Sequence, residues 1–169
     1  QLKTDGFDVQ RDKNNLSYAG LITEFMKRIG KGDLVVVFLS KKYLFSSYCM
    51  WELAEVYRNN KQERDLFVRH ILPIRVEEVN LDDHTLMGHV LNYWENKKSE
   101  EEQFVIKHIG SIGRASLDKF LRIRDVQRAC GDLLGYFNDI NAQTKEMLQE
   151  NNFRTVKLEI INRLNDAKS

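Results

Sequence analysis

Ser40, Tyr48 and Glu52 follow one apolar run in an order that suits a site built on the rim of a sheet. The run Leu34-Val35-Val36-Val37-Phe38-Leu39 stops at Ser40, and a short polar loop leads into a helix that carries Tyr48 and, four residues on, Glu52. A buried strand that hands a carboxylate to the rim of a sheet puts it where α/β proteins keep their chemistry. The chemistry on offer is that of a carboxylate. No Gly-x-Ser-x-Gly is present, so a serine hydrolase has no support. His70, His84, His89 and His108 show no metal-ligand spacing, and Cys49 and Cys130 form no Cys-x-x-Cys pair, so no metal site is expected. Gly30-Lys31-Gly32 is too short for a phosphate loop and reads as a helix stop before a strand.

The helix around Glu52 sets which side chains share a face. At 100° per residue from Cys49, Leu53 and Val56 lie in the buried direction. Tyr48 and Glu52 fall together to one side of that stripe, at the margin of burial and near the helix N-terminus. Trp51, Glu55 and Arg58 point away, and Glu55 reads as an ordinary solvated carboxylate. Cys49 reads as core and Tyr43 as packing under the loop. Ser46 or Ser47 is the N-cap of this helix, which spans about 47 to 58.

The supporting elements follow from periodicity. Residues 7–11 alternate as a short strand, Asp12 to Gly20 is a polar loop, and residues 18–29 form an amphipathic helix. The run 34–39 has no polar alternation, the mark of a central parallel strand covered on both faces. Asn59 to Asp65 reads as a charged surface loop. Residues 70–76 read as another strand, in which Pro73 removes a ladder donor and argues for an edge-like or interrupted position. Asp82 or Asp83 caps a helix reaching Tyr93-Trp94, and the charge run Lys97–Glu102 reads as a solvated turn or helix start. Phe104, Val105, Ile109 and Ile112 suit a helical face. Residues 116–140 form a long helix with the stripe Ile123, Val126, Cys130, Leu133, Phe137 and Ile140, and a last helix covers about 153–165. Alternating strands and helices predict a parallel three-layer α/β sheet. The helical end either caps that sheet or pairs its seam with another chain.

Size and charge narrow the function. A chain of 169 residues is one domain, or one domain with an appendage. Lys and Arg total 26 against 25 Asp and Glu, so no basic excess draws it to nucleic acid or an anionic membrane. No stretch approaches the roughly 18–20 apolar residues of a membrane span. Two cysteines in dissimilar contexts make a reducing cytoplasm the simpler setting. Gln1 at the start reads as the edge of a fragment or a processed product.

The segment Ser40-Lys41-Lys42-Tyr43-Leu44-Phe45-Ser46-Ser47-Tyr48-Cys49-Met50-Trp51-Glu52-Leu53 closely resembles the third strand and third helix of Toll/interleukin-1 receptor (TIR) domains, of a bacterial flavour. The loop Asp12–Gly20 looks like that family's BB loop, and His70–Val76 like its fourth strand. The resemblance covers about residues 5 to 95. It implies a flavodoxin-like parallel sheet with additional C-terminal helices, divided as a TIR-like domain at 1–112 and C-terminal helices at 113–169. The family's first strand and helix precede residue 5 and are not in this chain. That strand should lie between those at 7–11 and 34–39, and removing it would expose both edges.

Many TIR domains cleave the nicotinamide–ribose bond of NAD, and a glutamate at the position of Glu52 is required. The resemblance therefore implies that Glu52 is catalytic, that Tyr48, Ser40 and Asp12 contact substrate, and that NAD is the substrate with no further cofactor. Tyr48 stands where the family commonly has Trp. The resemblance further implies a cytoplasmic immune or defence effector switched by self-association, with the 12–20 loop as the moving part. The alternative is a non-catalytic module whose surfaces pair TIR domains to relay a signal.

Overall fold

The computed structural model describes residues 34–77, 79–81, 84–140, 143–150 and 153–166. The strand expected at 7–11, the loop Asp12–Gly20, the helix at 18–29 and the cap at Asp82 or Asp83 lie outside the described residues.

The β-branched run forms β1 (Val35–Leu39), as its composition favours. It pairs in parallel with β2 (Ile71–Arg75), Val35 against Ile71 through to Leu39 against Arg75. Between them come α1 (Lys41–Leu44), α2 (Ser47–Asn59) and α3 (Arg64–His70). After β2 follow α4 (His84–Lys107) and α5 (Arg114–Asp139), then β3 (Gln143–Thr144), α6 (Lys145–Glu150) and α7 (Arg154–Asp166). β3 pairs in parallel with Ile74 and Arg75, so the described sheet has the order β1-β2-β3. Three parallel strands in consecutive order also occur in one half of a flavodoxin-like sheet. The described residues are mostly helical around this small parallel sheet.

Pro73 sits where its missing donor does least harm. Val76 donates its backbone N–H to the Leu39 carbonyl at 3.1 Å. By the two-residue alternation of a strand, the N–H direction at position 73 is away from β1. On that side β3 reaches only Ile74 and Arg75. The same edge is closed at Ile71 by Arg163 of α7, whose Nη1 donates to the carbonyls of Val68 (2.7 Å) and Ile71 (2.6 Å). Its Nε is held by Glu159 at 2.7 Å, one turn earlier on the same helix.

The core joins one face of the sheet to three helices. Val37, Leu39 and Ile71 pack in one buried cluster with Leu53 and Val56 of α2, Trp94 of α4 and Leu133 of α5. The α5 stripe Ile123, Val126, Cys130, Leu133 and Phe137 is buried as its spacing predicts, and α5 packs against both α4 and α2. Residues beyond 113 therefore supply a wall of α2 and a strand of the sheet.

Several expectations are corrected. Phe38 is 59% exposed, so β1 is covered on one face rather than two among the described residues. The charge run Lys97–Glu102 lies inside α4, not at a turn or helix start, and Lys98 pairs with Glu102 at 2.8 Å along its solvated side. The Asn59–Asp65 loop is shortened by α3, too brief to leave a periodic signal, although its Phe67 is fully buried. Of the face expected at 104–112, Val105 is buried while Phe104, inside α4, and Ile109, beyond its end at Lys107, are exposed. No helix among the described residues is long and apolar enough to cross a membrane.

Candidate functional site

Two serine caps turn the chain from β1 into α2 within seven residues. The Ser40 hydroxyl accepts the Tyr43 N–H at 3.1 Å and caps α1. The Ser46 hydroxyl accepts the Cys49 N–H at 3.4 Å and caps α2. Each satisfies one of the donors that a helix start leaves unpaired. The intervening carbonyls are held from α4. Trp94 Nε1 donates to the Leu44 oxygen at 2.9 Å, and the Tyr93 hydroxyl to the Phe45 oxygen at 3.3 Å. The rings of Phe45 and Tyr93 meet edge to face, with centroids 5.0 Å apart. The Tyr93-Trp94 pair thus fixes the turn that leads to Glu52.

Glu52 lies on the second turn of α2 and is half-buried. Tyr48, one turn before it, is 51% exposed. Met50, Trp51, Leu53, Ala54, Glu55, Val56 and Tyr57 are all buried, so Tyr48 and Glu52 share the stripe of α2 that stays accessible. Tyr43 reaches the same place from α1. Its phenol donates to the Cys49 carbonyl at 3.1 Å. Burial, then the negative charge of Glu52, then that of Cys49, push the phenol well above its usual range. Tyr43, Cys49 and Glu52 are therefore neighbours where α1 meets α2, and Ser40 caps the start of α1. Asp12 lies outside the described residues.

Glu55 is not the solvated carboxylate that its helical position suggests. It is 4% exposed, and Trp51 on the same side is 5% exposed. The cover is α5. Arg58 holds the Glu55 carboxylate at 2.5 Å and reaches Asp125 of α5 at 3.6 Å. The Arg122 guanidinium stacks over the Trp51 ring, 5.2 Å from its centroid. A wheel drawn for α2 alone cannot register a second layer on its far side.

Two residues at the rim were not singled out from the sequence. The Glu77 carboxylate, just past β2, accepts the backbone N–H of Lys41 at the start of α1. Arg75, the last residue of β2, lies in register with Leu39 at the same strand end. Their roles depend on strand register, which no local pattern reveals. Among the described residues no group of three or more His, Cys, Asp or Glu is arranged to hold a metal ion.

A family model described as the TIR domain matches residues 1–107. No curated protein and no solved structure matches the chain.

Proposed function

Since the chain belongs to the TIR-domain family, we propose that it cleaves the nicotinamide–ribose bond of NAD, with Glu52 as the catalytic carboxylate. The observation that carries this reading is the half-buried position of Glu52 on the accessible stripe of α2, beside Tyr43.

The reaction asks for one anion and no acid. When the C1′–N bond breaks, its electron pair leaves with the pyridinium nitrogen, and nicotinamide departs neutral. Positive charge builds on the ribose. Water then adds to C1′ and gives up a proton, yielding ADP-ribose; attack by an adenine nitrogen of the same molecule yields a cyclic ADP-ribose instead. A carboxylate about 4 Å from the developing charge, at an effective dielectric near 20, is worth on the order of 4 kcal/mol, or roughly a thousandfold in rate. This is the glycosidase arrangement with one carboxylate in place of two. Tyr48 offers a ring wall to a flat base, Ser40 a hydroxyl at the strand end, and Asp12 a further polar contact. Self-association switches the activity, and the setting is a cytoplasmic immune or defence response.

Tyr48, half exposed, equally suits a face that docks another TIR domain, and a non-catalytic scaffold is the second reading. Nicotinamide release from NAD by the full chain and by Glu52→Ala separates the two. Loss of release in Glu52→Ala supports the enzyme. Equal release from both removes Glu52 from the chemistry. No release from either, even at concentrations that force self-association, leaves the scaffold.

A further inference from the structure

We propose that Arg75 holds the diphosphate of the dinucleotide, an inference that rests on the NAD reading above and extends it to substrate recognition. Arg75 ends the central strand of the described sheet, paired with Leu39 on one side and Thr144 on the other. It therefore stands at the carboxyl rim, where ligands of parallel sheets bind. Strand alternation puts its side chain on the face shared by Ile71 and Pro73 and, across the ladder, by Val37 and Leu39. That face carries α2, because Val37, Leu39 and Ile71 share a buried cluster with Leu53 and Val56. Arg75 thus ends a strand, and Glu52 belongs to the helix, that share this face of the sheet.

The guanidinium is unusual in what it lacks. Its Nε is buried and has no hydrogen-bond partner. The other buried Nε in that condition, on Arg124, belongs to a guanidinium that reaches Asp125 through Nη2 at 3.3 Å. No such carboxylate engages Arg75 among the described residues. Glu77, two residues on, is committed to the Lys41 N–H. A buried donor nitrogen left unpaired on a partly buried, permanently charged group calls for an acceptor. Phosphate oxygens match the planar fork of Arg in two parallel bonds. In NAD the diphosphate is attached to the 5′ carbon of the same ribose whose C1′ would face Glu52, so one substrate can engage both residues.

Arg75→Gln and Arg75→Lys in the full chain test this by steady-state kinetics on NAD with two product inhibitors. Expected for Arg75→Gln is a KM for NAD raised on the order of tenfold or more, with kcat kept within about threefold. Inhibition by ADP-ribose, which carries the diphosphate, should weaken in step, while inhibition by nicotinamide, which does not, stays unchanged. Arg75→Lys should restore part of the loss. An unchanged KM, or equal weakening of both inhibitors, overturns the proposal while leaving the NAD reading intact. Should Arg75→Gln lower the melting temperature, Arg75→Lys carries the same comparison alone. If the wild-type chain releases no nicotinamide, the NAD reading fails by itself, and calorimetric titration with ADP-ribose decides on Arg75. Binding weakened about tenfold by the substitution sustains it; equal binding, or none to the wild type, overturns it.

Discussion

The Tyr43 phenol donates to the carbonyl of Cys49 at 3.1 Å, which ties the short helix after β1 to the first turn of the helix bearing Glu52. Tyr43 touches no reacting atom in this scheme; it is a positioning residue. The bond joins two segments that serine caps have already set, so its removal should disturb direction more than fold.

Tyr43→Phe is accordingly expected to cost only about 0.5–1.5 kcal/mol in stability. Its kcat for nicotinamide release should fall by about tenfold to a hundredfold, because small misplacements of a catalytic group are costly. Urea denaturation and steady-state kinetics on one preparation check both. An unchanged kcat would show that the phenol does not direct the Glu52 turn.

Trp94 holds the same turn from the other side. Its ring is fully buried, and its Nε1 is the donor to Leu44. Trp94→Phe leaves that carbonyl without its donor and should cost about 1–3 kcal/mol. Tyr93→Phe removes a longer bond from a less buried hydroxyl and should cost less, about 0.5–1.5 kcal/mol. Chemical denaturation midpoints give the ranking, and the reverse order would refute this account of the pair.

Glu55 supplies a third test. Arg58→Ala strands its carboxylate under α5 and should destabilise by about 1–3 kcal/mol, the lower end being favoured because Arg58 itself reaches solvent. Adding Glu55→Gln removes the stranded charge, so the double variant should be more stable than Arg58→Ala alone. Thermal melts of the four members of this cycle measure the coupling; strict additivity would mean that the ion pair contributes nothing.

What the sequence revealed divides along physical lines. β1, the Ser46 cap and α2 were legible because apolar runs and caps are local signals. The α5 stripe was legible because five buried positions keep helical spacing. Glu55 misled because its cover comes from Arg122 and Asp125, far along the chain. Phe38 misled because an unbroken apolar run does not say which face is covered. β3 is two residues, Gln143–Thr144, with no alternation to read. Arg75 and Glu77 acquire their places only when β1 and β2 are in register. The strand-turn-helix implied by the order of Ser40, Tyr48 and Glu52 is present, with Ser40 capping α1 and Tyr48 and Glu52 one turn apart on α2.

The last prediction concerns alkaline pH. Burial pushes the Cys130 thiol up to about 12 in the folded chain. Tyr43 is raised by burial and by Glu52, and Tyr57 by burial and by its bonds to Tyr136 and Asp132. All three hold their protons more tightly folded than unfolded. Their contribution to stability is therefore full below the unfolded values, about 8.5 for a thiol and 10 for a phenol. Above them the unfolded chain binds fewer protons than the folded one, so stability falls as pH rises through the folded values. The thiol acts first, with a slope of up to about 1.4 kcal/mol per pH unit from roughly pH 8.5 towards 12. Cys130→Ala lowers stability at every pH by leaving a small cavity in the core, but it removes the titrating group. Urea unfolding from pH 7.5 to 10 should show a declining stability in the wild type and a flatter line in Cys130→Ala, the phenols adding their decline only near pH 10. Parallel lines for the two proteins would mean that the thiol is not held protonated by burial.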